Sequence, residues 1–328
     1  MPKAVIHHAY GAPREVLQLI EHAPQTPGPG EVVLRMEAAA MHIADLRTIT
    51  GTDPAFRHPL PRTPGFEGVG RILRCGPGVS EFSEGDRVFP ALGSGTFREE
   101  LCCAASQCMP APAGDAAQLS LLTVNGPTAA VMLEDFVDWK PGDWLIQNAA
   151  NSSCGRYVIR LARRKGLRTV NVVRRAHMID ELRELGGEVV LVDGDDLADR
   201  VSRAVNGAPI RLGIDAVAGV ATQRIAECLA ADSPLISYGA MSQQRCEIDF
   251  YLMFRQGIVL HGLSFVRQLR RRPLAEVRAL YAELAALMSQ GELVARIAGI
   301  YPLERIVEAC DRAAMTGDDR NGKVVIGF

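Results

Sequence analysis

The chain lacks an excess of either charge, any long apolar run and any framework of paired cysteines, and each absence removes a class of protein. Its 36 basic and 38 acidic residues leave a formal net charge of −2, so nothing draws it to nucleic acid or to an anionic membrane surface. No apolar stretch is long enough to cross a bilayer, and the opening MPKAVIHHAYG lacks the apolar core of a secretion signal. The eight cysteines (Cys75, Cys102, Cys103, Cys108, Cys154, Cys228, Cys246 and Cys310) show no C-x-x-C spacing. The expectation is reduced thiols in a cytoplasmic protein. Lysine occurs only at 3, 140, 165 and 323, an arginine bias that fits a GC-rich genome rather than a function.

What is present is enough chain for two domains. A length of 328 residues, 48% hydrophobic and 23% charged, suits a soluble globular protein with a large core. Up to about residue 110 the texture is β-rich. Short β-branched or alternating runs at 3–7, 31–36, 69–74 and 87–90 are separated by turn clusters such as Pro27-Gly28-Pro29-Gly30 and Cys75-Gly76-Pro77-Gly78. That spacing predicts a small barrel or a partly open sheet. From about 120 onward, helix and strand alternate, with strands ending near Asn148, Val173, Asp193, Val217 and Tyr238 and a sixth over 258–263. Such alternation predicts a doubly wound parallel sheet. A helix over 156–168 buries Val158, Ile159, Leu161 and Ala162 and turns Arg156, Arg160, Arg163 and Arg164 outward. Another, over 273–291, carries a stripe of Leu274, Val277, Tyr281, Leu284 and Met288. The tail from 298 reads strand, helix, loop, strand, and is expected to return to the first domain.

The stretch WLIQNAANSSCGRYVIRLARRKGLRTVNVVRR, 144–175, carries the most chemistry. An apolar strand runs through a turn of small and polar residues into a helix, and a second strand ends in Arg174 and Arg175. A strand–turn–helix aims backbone N–H groups and a positive helix end at one point, which suits a pyrophosphate. At the end of the second strand an acid accepts from a ribose 2′-hydroxyl, whereas arginine favours a 2′-phosphate, so the segment reads as an NADPH site. The turn departs from G-x-G-x-x-G. Gly155 stands at the helix-packing position, but Ser152 and Ser153 occupy places where glycine would keep a Cβ away from the phosphates. A strand–turn–helix that holds no nucleotide is the alternative.

A β-rich first domain, an inserted dinucleotide domain and a returning tail together resemble the medium-chain dehydrogenase/reductase superfamily, through PGFEGVGRI (64–72), EGDRVFP (84–90), KPGDWLIQNAA (140–150) and GKVVI (322–326). Within it, QNAANSSCGRYVIRLARRKGLRTVNVVRR most resembles the mitochondrial-type 2-enoyl thioester reductases; LTVNGPTA (122–129), SYGAMS (237–242) and LHGLSF (260–265) are similar to their nicotinamide-side segments. The resemblance implies an α/β fold, a doubly wound parallel Rossmann sheet inserted in a β-rich GroES-like catalytic domain. It places the first part of the catalytic domain at 1–118, the dinucleotide-binding domain at 119–263 and the return at 264–328. The implied cofactor is NADPH. Asn151, Ser152, Ser153, Cys154 and Gly155 would form the phosphate turn, with Ser153 in place of its middle glycine. Arg174 and Arg175 would meet the 2′-phosphate, Tyr238 would end the fifth strand against the cofactor, and Asn125, Thr128, Phe265 and Lys323 would line the nicotinamide side. Where those reductases carry a proton-donating tyrosine, this chain reads Gly51-Thr52-Asp53-Pro54, so Asp53 takes the tyrosine's place.

Zinc members of the superfamily hold their catalytic metal through a Cys, a Gly-His-Glu and a later Cys. Here those positions carry His42, Gly65-Phe66-Glu67 and Val124, and one possible ligand with one carboxylate cannot close a tetrahedral site. Cys102, Cys103 and Cys108 lack the spacing of the structural zinc site. The expectation is a zinc-free protein. His42 is then either packed or a pocket residue, and with Asp45 it reproduces the Asn-x-x-Asp spacing of zinc-free relatives. Without a metal, hydride transfer suits a carbon already electrophilic, with hydrogen bonds polarising the carbonyl and an acid protonating the enolate. His42, Asp53 and Asn125 are the candidate catalytic residues, with His58 or water as further proton sources. The expected reaction is reduction of a 2-enoyl thioester of coenzyme A or acyl carrier protein, or of a related enone. NADPH:quinone reduction is the alternative, and a non-catalytic NADPH-binding sensor is a third. Arg267, Arg270, Arg271 and Arg272 either grip the phosphates of such a thioester or form a solvated stretch. The apolar run 257–263 is a candidate sheet edge for a homodimer.

Overall fold

The computed structural model describes residues 1–315 and 322–328. It divides into two compact units, Met1–Val124 with Ala275–Phe328, and Asn125–Leu274. The expected boundaries at 118/119 and 263/264 lie six and eleven residues before these. No described helix is long and apolar enough to cross a membrane.

In the first unit, strand Glu31–Ala40 is the hub of a seven-stranded sheet. It pairs antiparallel with Glu67–Cys75 on one side and with Glu100–Ala104 and Lys323–Gly327 on the other. Beyond these lie Arg87–Phe89 and Met109–Pro110 at one end and Ile297–Pro302 at the other, while Lys3–His7 and Leu17–Glu21 form a separate antiparallel pair. The strand is four residues longer at its C-terminal end than the apolar run 31–36 predicts. Glu37 is held by Arg71 and Arg87, and three small alanines after it stay buried in the sheet. Gly70 is required where strands approach closely: a Cβ there would stand 2.6 Å from the Arg35 carbonyl oxygen. The tail returns to this sheet as expected, with Val325 opposite Ala40 and Ile326 opposite Ala39. Residues 316–321 of the predicted loop lie outside the described residues.

The second unit is a six-stranded, wholly parallel sheet. Its order is Val189–Val192, Arg168–Val173, Trp144–Gln147, Ile210–Asp215, Pro234–Ser237 and Val259–Gly262. Counted along the chain this is 3-2-1-4-5-6, the doubly wound order, with its switch point beside Trp144–Gln147. All four residues of that strand are buried, as a strand covered on both faces requires. Trp144, Ile146, Val170, Val172, Ile210 and Leu235 share one core cluster.

Two helices differ from expectation. The helix predicted over 156–168 is Ser153–Arg164. Gly166 at φ +69° takes the left-handed position, Leu167 N–H closes back on Ala162 O at 2.9 Å, and Arg168 already belongs to the next strand. Arg156 does not face outward: it is 7% exposed and paired with Glu181 at 2.5 Å. In Leu274–Ser289 the stripe holds from Val277 to Met288, but Leu274 is exposed.

Candidate active site

In the second unit, strand Trp144–Gln147 gives way to a turn in which Ala149 adopts a left-handed φ of +48°. Ser152 is extended, and its hydroxyl caps the helix Ser153–Arg164 by accepting from Gly155 N at 3.1 Å. Gly155 packs the helix on the turn; a Cβ there would lie 2.7 Å from Ala150 O and 2.8 Å from Ala150 Cα. Beneath, the buried Gln147 amide donates to Gly155 O at 3.0 Å and to Asn171 Oδ1 at 2.8 Å, tying the turn to two strands. Arg156 Nε braces the other side by donating to Asn151 O at 3.2 Å. Ser153 and Cys154 are buried at 8% and 4% exposure, so the Ser153 side chain offers little surface to a ligand on the open side of the turn.

The carboxyl ends of the neighbouring strands converge on this turn. Asn148 donates to Asp215 Oδ1 at 2.6 Å and accepts from Ala216 N at 2.8 Å. Asp215, fully buried, also receives Val217 N, Ala218 N and the Thr222 hydroxyl. Tyr238 N donates to Asp215 O at 3.0 Å. The Tyr238 hydroxyl is buried and lacks a hydrogen-bond partner of good geometry. It lies within interaction range of Ser152 and Cys154, and burial raises its pKa well above the usual phenol range. The structure therefore groups Asn151, Ser152, Ser153, Cys154, Gly155 and Tyr238. Asn148 and Asp215 join them although neither was anticipated as a site residue; the sequence signal is an aspartate closing the strand Ile210-Arg211-Leu212-Gly213-Ile214-Asp215.

Arg174 ends the adjacent strand exposed and forms no ion pair among the described residues, while Arg175 beside it is half-buried. Asn125 and Thr128 sit on helix Leu122–Glu134, each 6% exposed. Phe265 opens the short helix Phe265–Leu269, half-buried. The four arginines that follow do not act as one group. Arg272 is engaged by Glu134 at 3.3 Å and Asp135 at 2.5 Å, Arg267 donates to Gly262 O and Arg271 to Gln268. The phosphate-gripping alternative thus loses Arg272 to an internal ion-pair network.

The remaining predicted residues belong to the first unit. His42 is the N-cap of helix Ile43–Thr50, in a capping box with Asp45. His42 Nδ1 accepts from Ala44 N at 3.2 Å, so in the neutral ring the proton sits on Nε2. Asp45 is fully buried; its carboxylate accepts from His42 N at 2.7 Å and Gly65 N at 3.2 Å. Glu67 is 1% exposed, and its Oε2 accepts from Thr123 Oγ1 and Val124 N, both at 3.0 Å. Burial pushes Asp45 and Glu67 each up to about 7, with the nearby Lys323 ammonium pulling both back down. The charge of Lys323 therefore acts on both buried carboxyls. Asp53 caps the short turn Pro54–Phe56 by accepting from Ala55 N at 3.0 Å, and pairs with Arg47 at 3.5 Å. Both contacts hold its side chain in the loop, as a cap and as the partner of Arg47. A tyrosine does reach this loop: the Tyr10 ring packs on Gly51, and its hydroxyl donates to His58 O at 2.5 Å and accepts from His58 N at 2.9 Å. Nothing in the sequence pairs positions 10 and 51. Among the described residues no cluster of three His, Cys, Asp or Glu is placed to hold a metal ion.

A doubly wound parallel sheet, a helix packed on glycine at the end of its first strand and an unpaired arginine at the end of its second define a dinucleotide-binding oxidoreductase. Residues 28–113 match the alcohol dehydrogenase GroES-like domain. Over 324 residues, 95% of this chain and 84% of the relative, the sequence is 31% identical to the mitochondrial enoyl-[acyl-carrier-protein] reductase of Arabidopsis thaliana. A Bacillus thuringiensis protein assigned as an NADPH:quinone reductase superposes at a TM-score of 0.90 with 25% identity, covering 100% of this chain and 99% of its own. Etr1p shares the fold at a TM-score of 0.88, with 100% and 99% coverage, both in its complex with NADP and crotonyl-CoA (21% identity) and in the Candida tropicalis mitochondrial 2-enoyl thioester reductase heterodimer with Etr2p (22% identity). The chain belongs to the enoyl-[acyl-carrier-protein] reductase family of the medium-chain dehydrogenase/reductase superfamily.

Proposed function

We propose that the protein is an NADPH-dependent reductase acting on the activated C=C of a 2-enoyl thioester or related enone. One observation carries the cofactor: the exposed Arg174, without an ion-pair partner among the described residues, ends the strand next to a turn packed on Gly155. Kinship with enoyl-[acyl-carrier-protein] reductases supports the acceptor. The residues fit the dinucleotide: the turn offers the backbone N–H groups of a helix start to a pyrophosphate, and Arg174 offers a fork to the 2′-phosphate. Asn125 and Thr128 are assigned to the nicotinamide side. When bound, NADPH supplies the hydride. His42, with its ring proton on Nε2, offers a hydrogen bond to a substrate carbonyl.

A zinc-independent reaction is supported by the engagement of Glu67 Oε2 with Thr123 and Val124 and of His42 Nδ1 with Ala44. Quinone reduction is the second reading. The ion pair of Asp53 with Arg47 favours it, because quinone oxygens take their protons from solvent and need no acid at this loop. We also propose a homodimer formed through the edge strand Val259–Gly262; the preceding helix Phe250–Gln256 leaves Phe250, Tyr251 and Phe254 exposed. A cytoplasmic location is proposed on the eight free cysteines.

The deciding experiment follows NADPH and NADH oxidation against crotonyl-CoA, simple enones, quinones and aldehydes. Turnover of crotonyl-CoA with NADPH is expected. Quinone turnover alone would install the second reading, and tight NADPH binding with no turnover on any acceptor would make the protein a sensor.

A further inference from the structure

Arg62 and Arg98 meet at the turn Gly93-Ser94-Gly95 in the first unit. Arg62 Nη2 donates to Gly93 O and Arg98 Nε to Gly95 O, each at 2.8 Å. Gly93 and Gly95 hold φ of +76° and +81°, a left-handed conformation that turns both carbonyls to the guanidiniums. Both arginines are half-buried, and among the described residues no carboxylate pairs with either. Burial and the neighbouring Arg62 lower the pKa of Arg98, the signature of like charges held together without compensation. Three polar atoms here are buried without a partner: Arg62 Nε, Ser94 Oγ and His7 Nε2. His7 is fully buried, donates from Nδ1 to Ala9 O at 3.1 Å and is kept below its ordinary pKa by burial, with Arg62 adding to the effect.

Two half-buried guanidiniums side by side with no counter-charge are costly, and an oxyanion would offset that cost. Two cations call for a dianion. Donors arriving from a guanidinium edge, a second guanidinium and a serine hydroxyl suit three tetrahedral oxygens better than a planar carboxylate. We propose that Arg62, Arg98 and Ser94 form a phosphate-binding site, separate from the dinucleotide turn and from Arg174. The phosphate is either free inorganic phosphate or one carried by the coenzyme A arm of the substrate; the second source rests on the enoyl thioester reading above.

The test titrates inorganic phosphate into NADPH-saturated protein by calorimetry, so that the cofactor's own phosphate sites are filled. Binding is expected, with a Tm that rises with phosphate concentration. Arg62→Gln should weaken binding roughly tenfold or more, and Ser94→Ala less. Arg98→Met should abolish the phosphate-dependent rise while leaving the phosphate-free Tm equal to or above that of the wild type. Absence of binding to the wild type, or binding unchanged in Arg62→Gln and Ser94→Ala, overturns the proposal. The source follows from KM: a rise in Arg62→Gln for crotonyl-CoA but not for crotonyl-N-acetylcysteamine assigns the phosphate to the substrate. Lost phosphate binding with both KM values unchanged assigns it to free phosphate. Failure of the wild type to turn over any thioester would remove the enoyl reading and leave the phosphate titration standing.

Discussion

Asp53 Oδ2 lies 3.5 Å from Arg47 Nη1, and the same carboxylate caps the turn that follows it. The carboxylate is thus engaged by its own loop and by Arg47, which leaves it a role in holding the loop. Asp53→Asn, which keeps the cap, is expected to change kcat less than about threefold. A positioned general acid contributes on the order of 100-fold or more, so a loss of that size would return Asp53 to the catalytic residues. Tyr10→Phe removes the hydroxyl that bridges both backbone groups of His58 and is expected to lower Tm by loosening the loop.

Arg174→Ser should weaken NADPH binding while leaving NADH untouched. A lost charged hydrogen bond is worth roughly 1.5–3 kcal/mol, or about 10- to 140-fold in Kd. Fluorescence titration with both cofactors measures it, and equal losses for the two would deny Arg174 the 2′-phosphate.

Gly155→Ala places a Cβ 2.7 Å from a backbone oxygen that cannot rotate away. The cost is expected at roughly 1–3 kcal/mol, read as a lower Tm together with weaker NADPH binding. Ser153→Gly should behave differently. Its side chain is largely buried, so NADPH affinity should hold within about threefold while stability falls by roughly 0.5–1 kcal/mol. Markedly tighter binding would mean that this Cβ crowds the pyrophosphate after all.

Asp45 and Glu67 titrate at about 7 in the folded chain, against a normal carboxylate value near 4 when unfolded. Between those values the folded state binds the extra protons, so this contribution to stability is full below about pH 4 and falls as pH rises towards 7. Asp45→Asn or Glu67→Gln should each flatten that slope by roughly one proton equivalent, measured by chemical denaturation across pH 4–8. An unchanged slope in both variants would mean that the carboxylates stay ionised.

How much was legible depended on whether the signal was local. The six parallel strands and the returning tail are written in short-range patterns of apolar and turn residues, and the structure places them as read. Arg156 was misread because its helical phase says nothing about Glu181, which arrives from another helix to bury it. The ion pairs of Arg272 were out of reach of the sequence for the same reason, since its acids lie more than a hundred residues earlier in the chain.

The sequence by itself determined the doubly wound sheet, the turn before Gly155 and the arginine at the end of the next strand, because strand period, glycine and charge at a strand end act over a few residues. Only the tertiary structure decided that Asp53 is spoken for by Arg47, that Tyr10 packs on Gly51, that Asn148 and Asp215 lock the switch point, and that Arg62 and Arg98 share a turn without an acid. Each is a pairing across long sequence separation, in which burial sets the energy and the partner is chosen by how the chain folds back.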